Sequence, residues 1–132
     1  MVDKSESLRG RRILVVEDDY LLAQVLSDFL EDAEAGVIGP VGSVDEALAA
    51  IETACGSLDG AILDVNLRGS KSYPIADALA ARSIPFLFAT GYGKDSLDLP
   101  YRNHARCEKP FDQANLVTRF AELLAKGTPR AH

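Results

Sequence analysis

Three apolar runs of this sequence, and one short mixed segment at 106–108, are each followed by side chains that could take part in metal or phosphoryl chemistry. These side chains are carboxylates, a hydroxyl and an ammonium: Glu17 and Asp18 (with Asp19), Asp64, Thr90 and Lys109. Clustered carboxylates repel by about 4 kcal/mol per pair at ~4 Å and an effective dielectric constant near 20. A divalent cation would offset that repulsion, and a set of oxygen ligands favours Mg²⁺. A carboxylate beside Mg²⁺ can attack a phosphoryl group whose oxygens an ammonium and a hydroxyl hold.

The apolar runs alternate with segments of helical periodicity, which indicates a parallel sheet covered by helices on both faces. The predicted strands lie at 13–16, 36–41, 61–63, 84–89 and around 106–108. The fourth helical segment, within 94–104, is expected to be short or irregular because Pro100 interrupts it. Right-handed crossovers then give an α/β fold, a doubly wound five-stranded parallel sheet in a three-layer sandwich. Ligands of such sheets bind at the carboxyl ends of the strands, where all the candidate side chains would meet.

Local patterns predict further details of these elements. The first helix is expected to bury one face, formed by Leu21, Leu22, Val25, Leu26, Phe29 and Leu30. Pro40 lacks an N–H, which favours an edge position for the second strand. Ser43 and Glu46 have the spacing of a capping box at the start of the second helix. The stretch 65–73 is predicted to be a polar loop that leads to a short helix opened by proline.

Length and composition indicate a single globular domain. The chain has 132 residues, of which 47% are hydrophobic and 26% charged. We expect a polar tail at 1–10, one domain at 11–126 and a second tail at 127–132. The net charge of −6 argues against nucleic acid as a direct partner. No apolar run approaches the ~20 residues that span a bilayer. The N-terminus lacks the pattern of a signal peptide, and Cys55 and Cys107 lack ligand spacing, so a cytoplasmic location is expected.

Each candidate side chain also has an ordinary structural interpretation. Acidic residues after a strand are common in the first turn of a helix, where they favour the helix dipole. A single aspartate at a strand end is more often a cap than a nucleophile, and a Lys-Pro pair is usually part of a loop. Only a shared site explains why all of them follow predicted strands, so we favour the functional interpretation.

Four motifs carry a resemblance to a known family: ILVVEDD (13–19), LDVNLRG (63–69), FATGYG (88–93) and KPF (109–111). Over residues 11–126 the chain resembles the CheY-like receiver domain of bacterial two-component response regulators. The third motif, FATGYG, is similar to the Phe-Ala-Thr-Gly-Tyr signature of a subgroup of single-domain receivers. The resemblance implies a flavodoxin-like strand order 2-1-3-4-5.

The resemblance also implies a role for each site residue. The metal ligands would be Glu17, Asp18, Asp64 and the backbone carbonyl of Asn66. Asp64 would be the phosphoacceptor, Thr90 the switch hydroxyl and Lys109 the contact to the phosphoryl group. The Lys109-Pro110 bond is expected to be cis.

From this resemblance we expect a stand-alone receiver, present as a monomer or weak dimer, with Mg²⁺ as its cofactor. It would accept a phosphoryl group on Asp64 from a histidine kinase or phosphotransfer protein and then change its affinity for a downstream protein partner. It would not be an enzyme beyond catalysing its own phosphorylation and slow dephosphorylation. Neither nucleic acid nor a membrane is expected as a partner.

The sequence departs from the family at one position and leaves two alternative functions open. Many receivers carry an aromatic residue three positions before the conserved lysine, where this chain has Arg106; Tyr92 or Tyr101 are hypothetical substitutes. One alternative function is a receiver-fold interaction module that works without phosphorylation. The other is a Mg²⁺-dependent phosphohydrolase with an aspartate nucleophile. Such enzymes commonly have a second acid where this chain has Asn66.

Overall fold

The computed structural model of this protein describes residues 8–54, 56–90, 101, 104–108 and 112–126. In this part of the chain the elements are β1 (Arg12–Val16), α1 (Tyr20–Asp32), β2 (Gly36–Val41), α2 (Val44–Thr53), β3 (Gly60–Asp64), β4 (Asn66–Leu67), β5 (Ser70–Lys71), α3 (Tyr73–Ala81), β6 (Phe86–Thr90), β7 (Arg106–Glu108) and α4 (Gln113–Lys126). The helix predicted within 94–104 lies outside the described residues apart from positions 101 and 104. Within the described ranges, no helix is both long enough and apolar enough to cross a bilayer.

Five strands form one parallel sheet in the order β2-β1-β3-β6-β7. Without the two short strands β4 and β5 this is the order 2-1-3-4-5, so the predicted fold class is confirmed. β3 is central, and it pairs with β1 through Leu63 and Val16 and with β6 through Asp64 and Ala89. Because the strands are parallel, their carboxyl ends lie at the same edge of the sheet.

Helices cover both faces of the sheet, because successive residues of its central strands point in opposite directions and both sets are apolar. On one face, Leu14, Leu63 and Phe88 pack with buried side chains of α2 and α3. On the other face, Val15 packs with buried side chains of α1 and α4. Leu8, which precedes the predicted domain boundary, is fully buried in this second core. The result is a three-layer sandwich with a sheet that is dry on both sides.

The start of α2 has the predicted capping box. Ser43 Oγ accepts a hydrogen bond from the backbone N–H of Glu46 at 3.1 Å. The Glu46 carboxylate in turn accepts from the N–H of Gly42 at 3.0 Å, one residue ahead of the cap. Both contacts satisfy backbone donors outside regular pairing, which fixes where the helix begins.

The predicted buried face of α1 is partly wrong. Leu21 and Val25 are exposed, whereas Ala23, Leu26, Ser27 and Leu30 are the residues that α1 buries. Compared with the prediction, the buried face of α1 is therefore rotated about the helix axis toward Ala23 and Ser27. Ser27 is tolerated inside because its hydroxyl donates to the carbonyl of Ala23 at 2.9 Å.

The stretch predicted as a polar loop instead contains a small antiparallel hairpin formed by β4 and β5. Leu67 pairs with Ser70, so only Arg68 and Gly69 connect the two strands. Both have positive φ, 50° and 88°, which is typical of the tight two-residue turns of hairpins. Leu67 is buried in the core shared by α2 and α3, and this anchors the hairpin to the domain.

The two outer strands of the sheet each present little free backbone. β2 is an edge strand, as Pro40 predicts, and its register with β1 is irregular between Leu14 and Val16. β7 has three residues, and the guanidinium of Arg119 donates to the carbonyl of its first residue, Arg106, at 3.3 Å. Both edges are thus short or interrupted.

Candidate functional site

Strand pairing brings three carboxylates together at the carboxyl edge of the sheet. β1 ends directly before Glu17 and Asp18, and its neighbour β3 ends at Asp64. One carboxylate oxygen of each of these residues lies within 4.8 Å of the others. Glu17 is buried, and Asp18 and Asp64 are half-buried. The structure therefore brings together the three acids that the sequence nominated as metal ligands.

Glu17 is held in place by backbone contacts on both sides. Its N–H donates to the carbonyl of Val41 at 2.9 Å, which ties it to the end of β2. Its Oε2 accepts from the N–H of Asp19 at 3.0 Å. These two hydrogen bonds thus fix the Glu17 carboxylate on the buried side of the cluster.

Asp19, the third acid of the triplet, has a different role. Its Oδ1 accepts from the N–H groups of Leu21 and Leu22 at 3.0 and 3.1 Å, which makes Asp19 the N-cap of α1. The ordinary interpretation of an acidic triplet, a helix start, is correct for this one residue. Glu17 and Asp18 face the cluster instead.

The donor set fits a hard divalent cation such as Mg²⁺. All three side-chain donors are carboxylate oxygens, and two of the three residues are open to solvent on one side. Mg²⁺ in proteins binds through a few carboxylates and keeps several waters, which needs such an open side. Mutual repulsion of three carboxylates in this space also favours a cation over an empty cluster. The backbone carbonyl of Asn66 remains a predicted ligand; Asn66 begins β4, two residues after Asp64.

Two further predicted site positions lie on the strands next to the cluster. Thr90 ends β6, one residue beyond the Ala89 that pairs with Asp64. Thr90 in turn pairs with Glu108, the last residue of β7, which immediately precedes Lys109. The carboxyl ends of β6 and β7 therefore lie at the same edge of the sheet as the acidic cluster. The Thr90 side chain, Lys109 and the predicted cis bond after Lys109 lie outside the described residues, and the roles of both side chains remain predictions.

A cation that the sequence analysis did not nominate lies at the mouth of the cluster. Nε of Arg68 is 3.8 Å from Oδ2 of Asp18. The Arg68 side chain is 79% exposed and that of Asp18 20%. The only sequence signal for this contact is a basic residue four positions after Asp64, followed by a turn-forming glycine.

An apolar surface lies beside the cluster at the start of α1. Tyr20 is 79% exposed and Leu21 73%, and Val25 follows one turn later on the same helix. Contiguous exposed apolar patches can mark surfaces that contact another protein. This surface begins two residues after Asp18.

The position of the usual aromatic residue holds Arg106, which is exposed on β7. Tyr101 lies elsewhere, stacked on Tyr73 of α3 with ring centroids 4.0 Å apart and planes at 2°. Its hydroxyl donates to Asp77 of the same helix at 3.0 Å. Tyr101 thus ties the connection between β6 and β7 to α3, whereas Tyr92 lies outside the described residues.

Comparisons with solved structures agree with this fold. No family profile matches the chain, and no curated protein matches it. Among solved structures it is similar to SdrG from Sphingomonas melonis Fr1, with 48% identity and a TM-score of 0.78 over 87% of this chain and 97% of SdrG. The BeF3-activated conformation of SdrG gives 49% identity and a TM-score of 0.74 over 86% of this chain and 95% of SdrG.

More distant structures share the fold alone. The receiver domain of the Erythrobacter litoralis response regulator PhyR is 19% identical, with a TM-score of 0.80 over 96% of this chain and 98% of that domain. A response-regulator receiver protein from Sinorhizobium medicae is 21% identical, with a TM-score of 0.73 over 89% of this chain and 97% of that protein.

A five-stranded parallel sheet covered by helices on both faces, with an acidic cluster at its carboxyl edge, defines a flavodoxin-like α/β domain. Together with the identity to SdrG over nearly its whole length, it shows that this chain belongs to the response-regulator receiver domains of two-component signalling. Members of this family are signalling regulators rather than dedicated enzymes.

Proposed function

We propose that this protein is a stand-alone receiver that takes a phosphoryl group on Asp64, in the presence of Mg²⁺, from a histidine kinase or phosphotransfer protein. The observation that carries the proposal is the cluster of Glu17, Asp18 and Asp64, whose oxygens lie within 4.8 Å of one another in a chain of this family. Nothing in the fold requires three carboxylates at this distance, and their repulsion disfavours it. A bound cation would offset this repulsion and so account for the arrangement.

Within the cluster, Asp64 is the best placed nucleophile. Glu17 is 3% exposed and its Oε2 accepts a hydrogen bond from the N–H of Asp19, so a phosphodonor in solution has little access to it, although it can still contribute an oxygen to a small ion within the cluster. Asp64 ends the central strand and is half-buried, which leaves one side accessible. Bound Mg²⁺ would be held by the three carboxylates and the Asn66 carbonyl and would supply positive charge to the phosphoryl oxygens.

The transfer itself is a displacement at phosphorus. An oxygen of Asp64 forms a bond to phosphorus while the bond from phosphorus to the donor's imidazole nitrogen breaks, and the imidazole leaves with the electron pair. The ammonium of Lys109 and the hydroxyl of Thr90 would bind the phosphoryl oxygens. Attack of water on the aspartyl phosphate later releases inorganic phosphate and restores the Asp64 carboxylate.

The exposed surface of Tyr20, Leu21 and Val25 is where we expect the phosphodonor protein to dock. It begins two residues after Asp18, so a partner that covers it would stand beside the cluster. Phosphorylation adds a charge of about −1.5 to −2 and thereby changes the affinity for a downstream protein. SdrG has a BeF3-activated conformation, which supports a comparable activation in this chain. A cytoplasmic location is part of the proposal.

The test is intact-mass measurement after incubation with acetyl phosphate, with and without Mg²⁺, on the wild type and Asp64→Asn. We expect one phosphoryl adduct that requires Mg²⁺ and is absent from the variant. A folded, Mg²⁺-binding wild type without an adduct would contradict the proposal and favour the phosphorylation-independent module. Sustained release of phosphate from simple phosphoesters would instead favour the phosphohydrolase.

A further inference from the structure

The hairpin of β4 and β5 holds a positive charge over the acidic cluster. Its tip consists of Arg68 and Gly69, and Nε of Arg68 lies 3.8 Å from Oδ2 of Asp18. Asp18 is one of the three carboxylates that would hold Mg²⁺. A guanidinium and a divalent cation would therefore compete for the same negative charge.

The backbone directs Arg68 toward this position. The pairs Asn66–Lys71 and Leu67–Ser70 close the hairpin, and the N–H of Ser72 donates to the carbonyl of Val65 at its base, at 2.9 Å. Leu67, in the pair next to the tip, is 3% exposed and packs in the core, so the hairpin is anchored close to its turn. The tip therefore has a defined place relative to the end of β3.

Arginine is a poor choice for the turn itself. Its φ is 50°, in the left-handed region, and the first position of such turns favours asparagine, aspartate and glycine. Backbone preference therefore does not account for arginine here. An unfavourable backbone conformation at a candidate site points to a role for the side chain.

The contact between Arg68 and Asp18 has the character of an exchangeable ion pair. A distance of 3.8 Å is longer than the 2.7–2.9 Å of a charge-assisted hydrogen bond. The Arg68 side chain is 79% exposed, so water screens the pair and the side chain has room to leave.

We propose that Arg68 is the resident counter-ion of the acidic cluster, which Mg²⁺ displaces when it binds. The inference rests on the proposed function, because it takes the cluster to be the Mg²⁺ site. In the metal-free protein Arg68 offsets part of the repulsion among the carboxylates. Mg²⁺ binding then loses the attraction between Arg68 and Asp18 and brings two cations close together, so Arg68 lowers the Mg²⁺ affinity.

The size of this effect follows from the exposure of the pair. Exposed ion pairs of this kind correspond to changes of about 1.5- to 5-fold in an equilibrium constant. We expect Arg68→Gln, which keeps the length and polarity of the side chain, to lower the Kd for Mg²⁺ by about two- to fivefold. Arg68→Lys should stay within about 1.5-fold of the wild type, because it keeps the charge.

The experiment is calorimetric titration of the metal-free protein with Mg²⁺ at fixed ionic strength. The matched control is Lys71→Gln, which removes the same charge from an exposed residue of the same hairpin. We expect Arg68→Gln to tighten Mg²⁺ binding and Lys71→Gln to leave it nearly unchanged. If Arg68→Gln binds Mg²⁺ no more tightly than the wild type, or if both variants gain the same Mg²⁺ affinity, the counter-ion role of Arg68 is refuted.

Thermal unfolding provides a second readout that does not depend on phosphorylation. In EDTA the Tm of Arg68→Gln should fall below that of the wild type, and in saturating Mg²⁺ the two should coincide. An equal loss in both conditions would mean a purely structural role for Arg68 and overturns the inference. A wild type that binds no Mg²⁺ overturns the proposed function as well, whereas wild-type binding that Arg68→Gln leaves unaltered overturns this inference alone.

Discussion

Replacing Asp64 by asparagine is expected to stabilise the metal-free protein. The substitution keeps the shape of the side chain but removes one of three negative charges whose oxygens lie within 4.8 Å of one another. In the unfolded chain Asp64 is far from Glu17 and Asp18 and screened from them, so its repulsion with these two residues acts on the folded state alone. A residue that the proposed function needs is thus one that the fold would do better without.

The magnitude follows from the geometry. Two unit charges at 4.8 Å repel by about 3.5 kcal/mol at an effective dielectric constant of 20 and by about 0.9 kcal/mol in bulk water. Asp64 has two such neighbours, but it is half-exposed and Arg68 supplies a compensating charge nearby. We therefore expect the free energy of unfolding to rise by about 1–3 kcal/mol, or a Tm higher by roughly 3–5 °C per kcal/mol at this chain length.

Urea unfolding in EDTA and in Mg²⁺ measures the effect. Mg²⁺ at ten times its Kd should stabilise the wild type by about 1.4 kcal/mol. Asp64→Asn should gain less, because it has lost a ligand. The control is Asp45→Asn, which removes one exposed charge from the first turn of α2 and should change stability by about 0.5 kcal/mol or less. A free energy of unfolding of Asp64→Asn in EDTA that does not exceed that of the wild type would refute the predicted repulsion.

Substitutions at three further positions test core packing, a helix cap and a side-chain hydrogen bond by urea unfolding. Gly60→Ala places a Cβ 3.0 Å from Cε1 of Phe120 and should lose about 1–3 kcal/mol by overpacking; a neutral result would show that the ring moves freely. Asp19→Ala should lose about 1 kcal/mol of helix capping and Asp19→Ser much less, and equal losses would contradict a capping role. Tyr101→Phe removes the hydrogen bond to Asp77 but keeps the ring stack, so about 0.5–1.5 kcal/mol should be lost, and no change would mean that this bond contributes nothing.

The sheet and the acidic cluster were predictable because both depend on simple rules of chain order. A buried parallel strand is a continuous apolar run, and the residue after it lies at the carboxyl edge whatever the details of packing. Glu17, Asp18 and Asp64 follow from this rule alone. The capping box at Ser43 was equally local, since its partners lie within four residues of one another.

The buried face of α1 was not predictable from hydrophobicity. Large residues stand in adjacent pairs along this helix, so two neighbouring faces carry similar apolar character. The face that the structure buries combines the small residues Ala23 and Ser27 with Leu26 and Leu30. Because the prediction assigned the largest apolar residues to the core, it placed the buried face of α1 too far toward Leu21 and Val25. It therefore missed that these two residues are exposed.

The hairpin of β4 and β5 was missed for a different reason. Strands of two residues are too short to show a period, and the turn uses Arg68 at a φ that arginine rarely adopts. Its contact with Asp18 joins residues fifty positions apart through a conformation that no local pattern predicts. The roles of Thr90 and Lys109 remain predictions from resemblance.

The two edges of the sheet have a consequence for behaviour at high concentration. An open sheet presents unpaired backbone groups at each side, and these can template association with another chain. Here Pro40 removes a donor from one edge, and the irregular register beside it interrupts the regular pattern of that strand. At the other edge, Arg119 covers the carbonyl of Arg106 in a strand of three residues. We expect the folded domain to resist edge-to-edge aggregation even when it is abundant.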